Sequence, residues 1–146
     1  MLIFCQNSKI VKDMCRINIE KLTLPDVHKV LYDGEKINID NQTMLKISDC
    51  YDFLVDFAKG KVVYGINTGF GPMAQYRVDD NHLVDLQYNI IRSHSAGVGK
   101  PLDDVYVKAA MIARLGSIAQ AHSGVHPEIV SLLVEFINND IIPFVS

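Results

Sequence analysis

From Arg16 onward the apolar residues recur first two apart and then three or four apart, the spacings of strands and helices. Ile17, Ile19 and Leu22 alternate between Arg16 and Leu24, as in a short strand. Thr23-Leu24-Pro25-Asp26 then has the residues of a helix start, because proline near the first helical position gives up no hydrogen bond. A helix through Val27, Val30 and Leu31 ends at Gly34, and Glu35 to Ile39 alternates again, with Ile37 and Ile39 on one face. Asp40 or Asn41 caps the next helix by accepting from free backbone N–H groups. Its stripe is Met44, Ile47, Tyr51, Leu54 and Ala58, and Gly60 is a natural stop.

Three more helices are predicted downstream. Asp79 or Asp80 caps one whose stripe is Leu83, Leu86, Ile90, Ser93 and His94, ending near Gly97 and Gly99. Pro101 separates it from a helix through Val105, Ala109, Ile112 and Ala119, with Asp103 and Asp104 near its positive N-terminus. Ala109, Ala110, Ala113, Gly116, Ser117 and Ala119 give this helix a flank of small residues that permits close helix approach. Pro127 opens a last helix carrying Val130, Leu133, Val134 and Ile137. The fold class is mainly α with a few short β-strands. Residues 1–15 lack such a pattern and are expected to be variable or poorly ordered.

Between the helical halves lies Tyr64-Gly65-Ile66-Asn67-Thr68-Gly69-Phe70-Gly71, after the β-prone pair Val62-Val63. Its three glycines permit tight turns and positive φ, and suggest a mobile loop headed by a phenol. Pro72 follows directly and lacks the N–H that a phosphate cradle needs. A free phenol has a pKa near 10, so a basic role for Tyr64 requires donors that stabilise the phenolate. A half-buried tyrosine at a strand end fits the same residues. His94 falls on the apolar stripe of its predicted helix, where it can meet a polar ligand group or simply bond the last turn. Ser93 beside it has the same two readings.

Composition narrows the classes. The 146 residues carry a net charge of −3 with scattered Lys and Arg, which argues against a nucleic-acid surface. Cys5, Cys15 and Cys50 are odd in number and lack C-x-x-C spacing, as reduced cytoplasmic thiols do. His122 and His126 are four apart, but Gly124 and Pro127 break the helix a metal pair would need, so no metal site is expected. No apolar run approaches the ~18 residues of a membrane span.

Taken together, the motifs resemble the N-terminal region of the histidine/phenylalanine/tyrosine ammonia-lyase family. The segment from Val63 to Gly71 is similar to that family's catalytic loop, and the segment from Leu86 to Gly99 to its substrate-selectivity helix and exit. Ser123-Gly124-Val125-His126 and Ile142-Pro143 fit in order, so the resemblance runs from about Ile17 to the end. It implies the ammonia-lyase-like helical fold and a 4-methylideneimidazole-5-one (MIO) electrophile formed from an internal Ala-Ser-Gly. It also implies Tyr64 as the base that removes a β-proton, Gly71 lining the site through its backbone, and Ser93-His94 as the selectivity pair.

The Ser-His form resembles enzymes that eliminate ammonia from L-histidine to give urocanate. Arg92 departs from the usual apolar residue before it, and a tyrosine or phenylalanine lyase, or a tyrosine aminomutase, stays open. No Ala-Ser-Gly occurs in the chain, since Ser95-Ala96-Gly97 has the wrong order. The resemblance therefore implies that residues 16–146 are an N-terminal domain cut before the cofactor segment, forming no cofactor and inactive alone. Homotetramers are expected of the parent enzyme, and self-association of this chain through uncovered apolar surface. The rival class is a non-catalytic assembly or binding module.

Overall fold

The computed structural model describes residues 16–146, so the expectation for residues 1–15 lies outside the described residues. In order come β1 (Arg16–Asn18), α1 (Leu24–Tyr32), β2 (Lys36–Asn38), α2 (Asn41–Ala58), α3 (Leu83–His94), α4 (Asp104–Ile118) and α5 (Pro127–Asn138). Short 3-10 turns occupy Ile19–Lys21, Gly71–Met73 and Asp80–His82. The strands pair in parallel, with Ile17 opposite Ile37. Parallel strands require a crossover, and α1 supplies it.

Local chemistry sets the helix starts. The Thr23 hydroxyl accepts from the Asp26 N–H (3.4 Å) while the Asp26 carboxylate accepts from the Thr23 N–H (3.2 Å), a reciprocal box that satisfies two end donors of α1. Gly34 at φ +72° takes the chain out of that helix into β2. At α2, Asp40 Oδ1 accepts from the Thr43 N–H (2.7 Å) and hydroxyl (3.0 Å). Its other oxygen accepts from Asn18 Nδ2 (3.1 Å), which ties the end of β1 to the start of α2. His126 caps α5: its Nδ1 accepts from the Glu128 N–H (3.2 Å), and its ring meets Tyr51 of α2 edge-on at 4.8 Å. Among the described residues no group of three or more His, Cys, Asp or Glu is placed to hold a metal ion.

The core joins both ends of the chain. Ile17, Ile19, Val30, Ile37 and Ile47 pack with Ile112, Leu115, Ile118, Val130 and Ile137. Each such side chain withdrawn from water contributes about 1.5–3 kcal/mol, so these aliphatic contacts dominate the stabilisation. One polar contact fixes their register. Asn138, at the end of α5, accepts from the Ile37 N–H (2.8 Å) and donates to the Ile37 carbonyl (2.9 Å). Its amide thus takes the place of a neighbouring strand along β2.

The small flank of α4 is covered only in part: Ala119 is buried and Ala109 and Gly116 are half-buried, while Ala110, Ala113 and Ser117 face solvent. The stripe of α3 is only partly covered: Leu83, Leu86 and Ile90 are half-buried, Ser93 and His94 at its end are exposed, and no residue of that helix is fully buried. The pair Val62-Val63 joins no strand and leads straight into a turn. Among the described residues no helix is long and apolar enough to cross a membrane.

Truncating Asn138 to Ala leaves two backbone groups of Ile37 without partners. The unfolding free energy is expected to fall by roughly 2–4 kcal/mol, measured by urea titration; an unchanged midpoint would remove the role given to this amide. Both cap carboxyls also titrate below the ordinary value of 3.8, Asp26 chiefly through the Thr23 hydroxyl and Asp40 chiefly through the Thr43 N–H. The unfolded chain then binds these protons more tightly than the folded one, so their stabilisation is complete above 3.8 and lost as pH falls through the folded values. Replacing both by Asn is expected to flatten the acid limb of stability against pH, and an unaltered slope would contradict this.

Candidate active site

The chain leaves α2 through Gly60 (φ +70°) and turns tightly at Tyr64, Gly65 and Ile66. Both the Ile66 and Asn67 N–H groups donate to the Val63 carbonyl, at 3.1 and 3.2 Å, and Gly65 sits at φ +79°. Positive φ costs most side chains about 1–2 kcal/mol, which explains a glycine there. Two polar residues of this loop are buried, Asn67 at 4% and Thr68 at 0% exposure. The Val63 N–H donates to Asn67 Oδ1 (2.8 Å), and Asn67 Nδ2 donates to the Lys61 carbonyl (2.8 Å). On the return path the Val78 N–H donates to the Asn67 carbonyl (2.9 Å), and Thr68 bridges Arg77 in antiparallel fashion.

The loop is therefore bonded to itself at Val63, Gly65, Asn67 and Val78. Buried polar groups are tolerated because they are bonded, and here the bonds go to the loop's own backbone. Asn and Thr are the residues that bond nearby backbone from turns, which is the signal that the sequence offered for them. Ile66 and Asn67 border a shallow cavity of about 290 Å³, shared with Ala58 and Gly60 at the end of α2 and Leu83 at the start of α3.

Tyr64 projects from this loop. It is 64% exposed, its ring meets Phe70 at 5.9 Å in an edge contact, and its hydroxyl has no hydrogen-bond partner among the described residues. Gly71 opens the following 3-10 turn at φ +56°, and a Cβ there would meet nothing within 4 Å. Its backbone is open to a ligand. Gly69 differs, since a Cβ would fall 2.6 Å from Met73 Cβ and 2.9 Å from the Met73 carbonyl oxygen.

Ser93 and His94 end α3 and are both exposed. The Ser93 hydroxyl donates to the Ile90 carbonyl (3.0 Å), and His94 Nδ1 lies 2.9 Å from the same oxygen and 3.0 Å from Ser93 Oγ. An Nδ1–H that donates to the carbonyl leaves Nε2 outward as an acceptor. Arg92 turns elsewhere, its guanidinium 5.6 Å from the Tyr88 ring. A cavity of about 630 Å³ opens beside His94, lined also by Ser95, Ala96, Gly97, Phe144, Val145 and Ser146. Tyr64 is not in that lining. The chain brings Tyr64 near Phe70, and Ser93 next to His94, as two separate exposed sets.

A model of aromatic amino acid lyases matches residues 22–146. The chain belongs to the aromatic amino acid lyase family. A probable histidine ammonia-lyase of Thermoplasma acidophilum is 37% identical over 133 residues, 90% of this chain and 27% of that protein. A histidine ammonia-lyase of Natranaerobius thermophilus is 34% identical, over 90% of this chain and 26% of that protein. The structure is also similar to tyrosine aminomutase from Streptomyces globisporus, with a TM-score of 0.81 at 29% identity, covering 86% of this chain and 24% of that one. The chain thus spans about a quarter of the length of the relatives that it matches. Membership of this lyase family bears out the resemblance drawn from the motifs, and the solved relative bears out the ammonia-lyase-like fold.

The two glycines separate space from backbone freedom. Gly71→Ala meets only the positive-φ cost of about 1–2 kcal/mol, whereas Gly69→Ala must displace the Met73 backbone. Amide exchange at Val78 is expected to accelerate more in Gly69→Ala than in Gly71→Ala; equal effects would contradict the packing described.

Proposed function

We propose that this chain carries the tyrosine-loop half of a histidine ammonia-lyase active site. One observation carries the reading: in a member of this family, Tyr64 stands exposed on a bonded glycine loop with its hydroxyl available to a ligand. Tyr64 is the base. It takes the β-proton of the bound amino acid as the Cβ–H bond breaks, the Cα–N bond breaks to release ammonia, and the new C=C bond gives urocanate. Ser93 and His94 meet the substrate imidazole, which favours histidine, because Nε2 of His94 and the Ser93 hydroxyl offer polar contacts. The exposed backbone at Gly71 lets substrate approach beside Phe70.

In this family an MIO group supplies the electrophile that activates the amine. These 146 residues contain no Ala-Ser-Gly from which that group could form. By themselves they are expected to be inactive towards histidine. The exposed Val84, Tyr88 and Ile91 of α3 support self-association, with a homotetramer for the complete enzyme. Unpaired Cys50 accords with a cytoplasmic setting.

The test is a chimera in which residues 16–146 replace the matching quarter of the Natranaerobius thermophilus enzyme. It is expected to convert L-histidine to urocanate, followed by near-ultraviolet absorbance. Tyr64→Phe is expected to lower kcat at least about 100-fold. Turnover of tyrosine without histidine would reject the substrate, and near-normal activity of Tyr64→Phe would reject the base.

A further inference from the structure

We propose that Asn67 and Thr68 are positioning residues for Tyr64, fixing its backbone from both sides by side-chain hydrogen bonds. The proposal rests on the reading of Tyr64 as the base and adds how that base is aimed. Tyr64 lies between two amides whose donors are taken by these side chains. The Val63 N–H goes to Asn67 Oδ1 (2.8 Å), and the Gly65 N–H goes to Thr68 Oγ1 (3.4 Å). Both side chains are already engaged by the loop's own backbone. Asn67 Nδ2 is used by the Lys61 carbonyl (2.8 Å), and the Thr68 hydroxyl proton by the Gly69 carbonyl (2.8 Å). Both residues are buried while Tyr64 is exposed, so they act through the backbone and do not touch a ligand themselves.

The consequence is pre-organisation. A glycine on one side of the phenol, and two more within the loop, would otherwise let Tyr64 sample many directions. Misplacing a reacting group by about 1 Å can cost on the order of 100-fold in rate. The bonds from residues 67 and 68 hold residues 63 and 65 in one arrangement and leave the ring against Phe70. Thr68 also forms an isolated antiparallel bridge with Arg77, so the clamp is continuous with the exit of the loop.

Nuclear magnetic resonance on the 146-residue chain tests this without any assay of turnover. The readouts are the Tyr64–Phe70 ring cross-peak, assigned by its loss in Tyr64→Phe, and exchange of the Val63 and Gly65 amides. Asn67→Ala and Thr68→Val are expected to remove the cross-peak, and each to accelerate exchange of its own amide about ten-fold, the equivalent of one hydrogen bond. Thr68→Ser, which keeps the hydroxyl, is expected to restore both. Unchanged exchange at Ile112 and Leu115 certifies the core, and if Asn67→Ala loosens that core, the Thr68 pair decides alone. Persistence of the cross-peak in Thr68→Val, or its failure to return in Thr68→Ser, would overturn the proposal. In the chimera the same variants are expected to lower kcat with KM little changed. If Tyr64→Phe proves active there, the base assignment fails while the resonance result still stands or falls by itself.

Discussion

The bond between the Asn138 amide and the backbone of Ile37 is the contact on which the arrangement depends. Two three-residue strands in parallel are too little sheet to stand alone, and β2 would present unpaired groups along its outer edge. A side-chain amide has both a donor and an acceptor at the spacing of a backbone peptide, so one asparagine satisfies both groups of Ile37. The partner lies 101 residues away, the widest sequence separation of any hydrogen bond among the described residues. The contact sets the end of α5 against β2, which in turn positions Val130 and Ile137 among the isoleucines of the first half.

The molecule has two kinds of surface as a result. The strands, α1, α2, α4 and α5 share one aliphatic core, while the glycine loop and α3 contribute no hydrophobic side chain to it. The residues of the proposed chemistry all lie on that outer set, a common division between a rigid scaffold and the segments it presents. The loop is held by hydrogen bonds instead of apolar burial. Asn67 and Thr68 are its buried residues, and both are polar.

Much of this was legible in the sequence where a local rule governs. Thr23, Asp40 and Pro127 mark helix starts, and Gly34 and Gly60 mark stops, because each acts on backbone within a few residues. Periodicity identified which residues share a face but not whether another element covers it. That is why Ser93 and His94, on the stripe of α3, prove exposed. The pair Val62-Val63 lost to the glycines beside it, whose turn leaves no room for a strand. Asn138 carried no local signal, since its partner is fixed only by the tertiary fold. The motif from Val63 to Gly71 marked the family and the candidate base, whereas the closed bonding of Asn67 and Thr68 needed coordinates.

The central claim is that Tyr64 faces the reacting carbon of an amino acid once the rest of the site is supplied. A crystal structure of the chimera with an unreactive histidine analogue measures this directly. The account predicts the Tyr64 hydroxyl within about 3.5 Å of the analogue's β-carbon, with Ser93 and His94 at its imidazole. A β-carbon met by another residue, with Tyr64 turned to solvent, would contradict it.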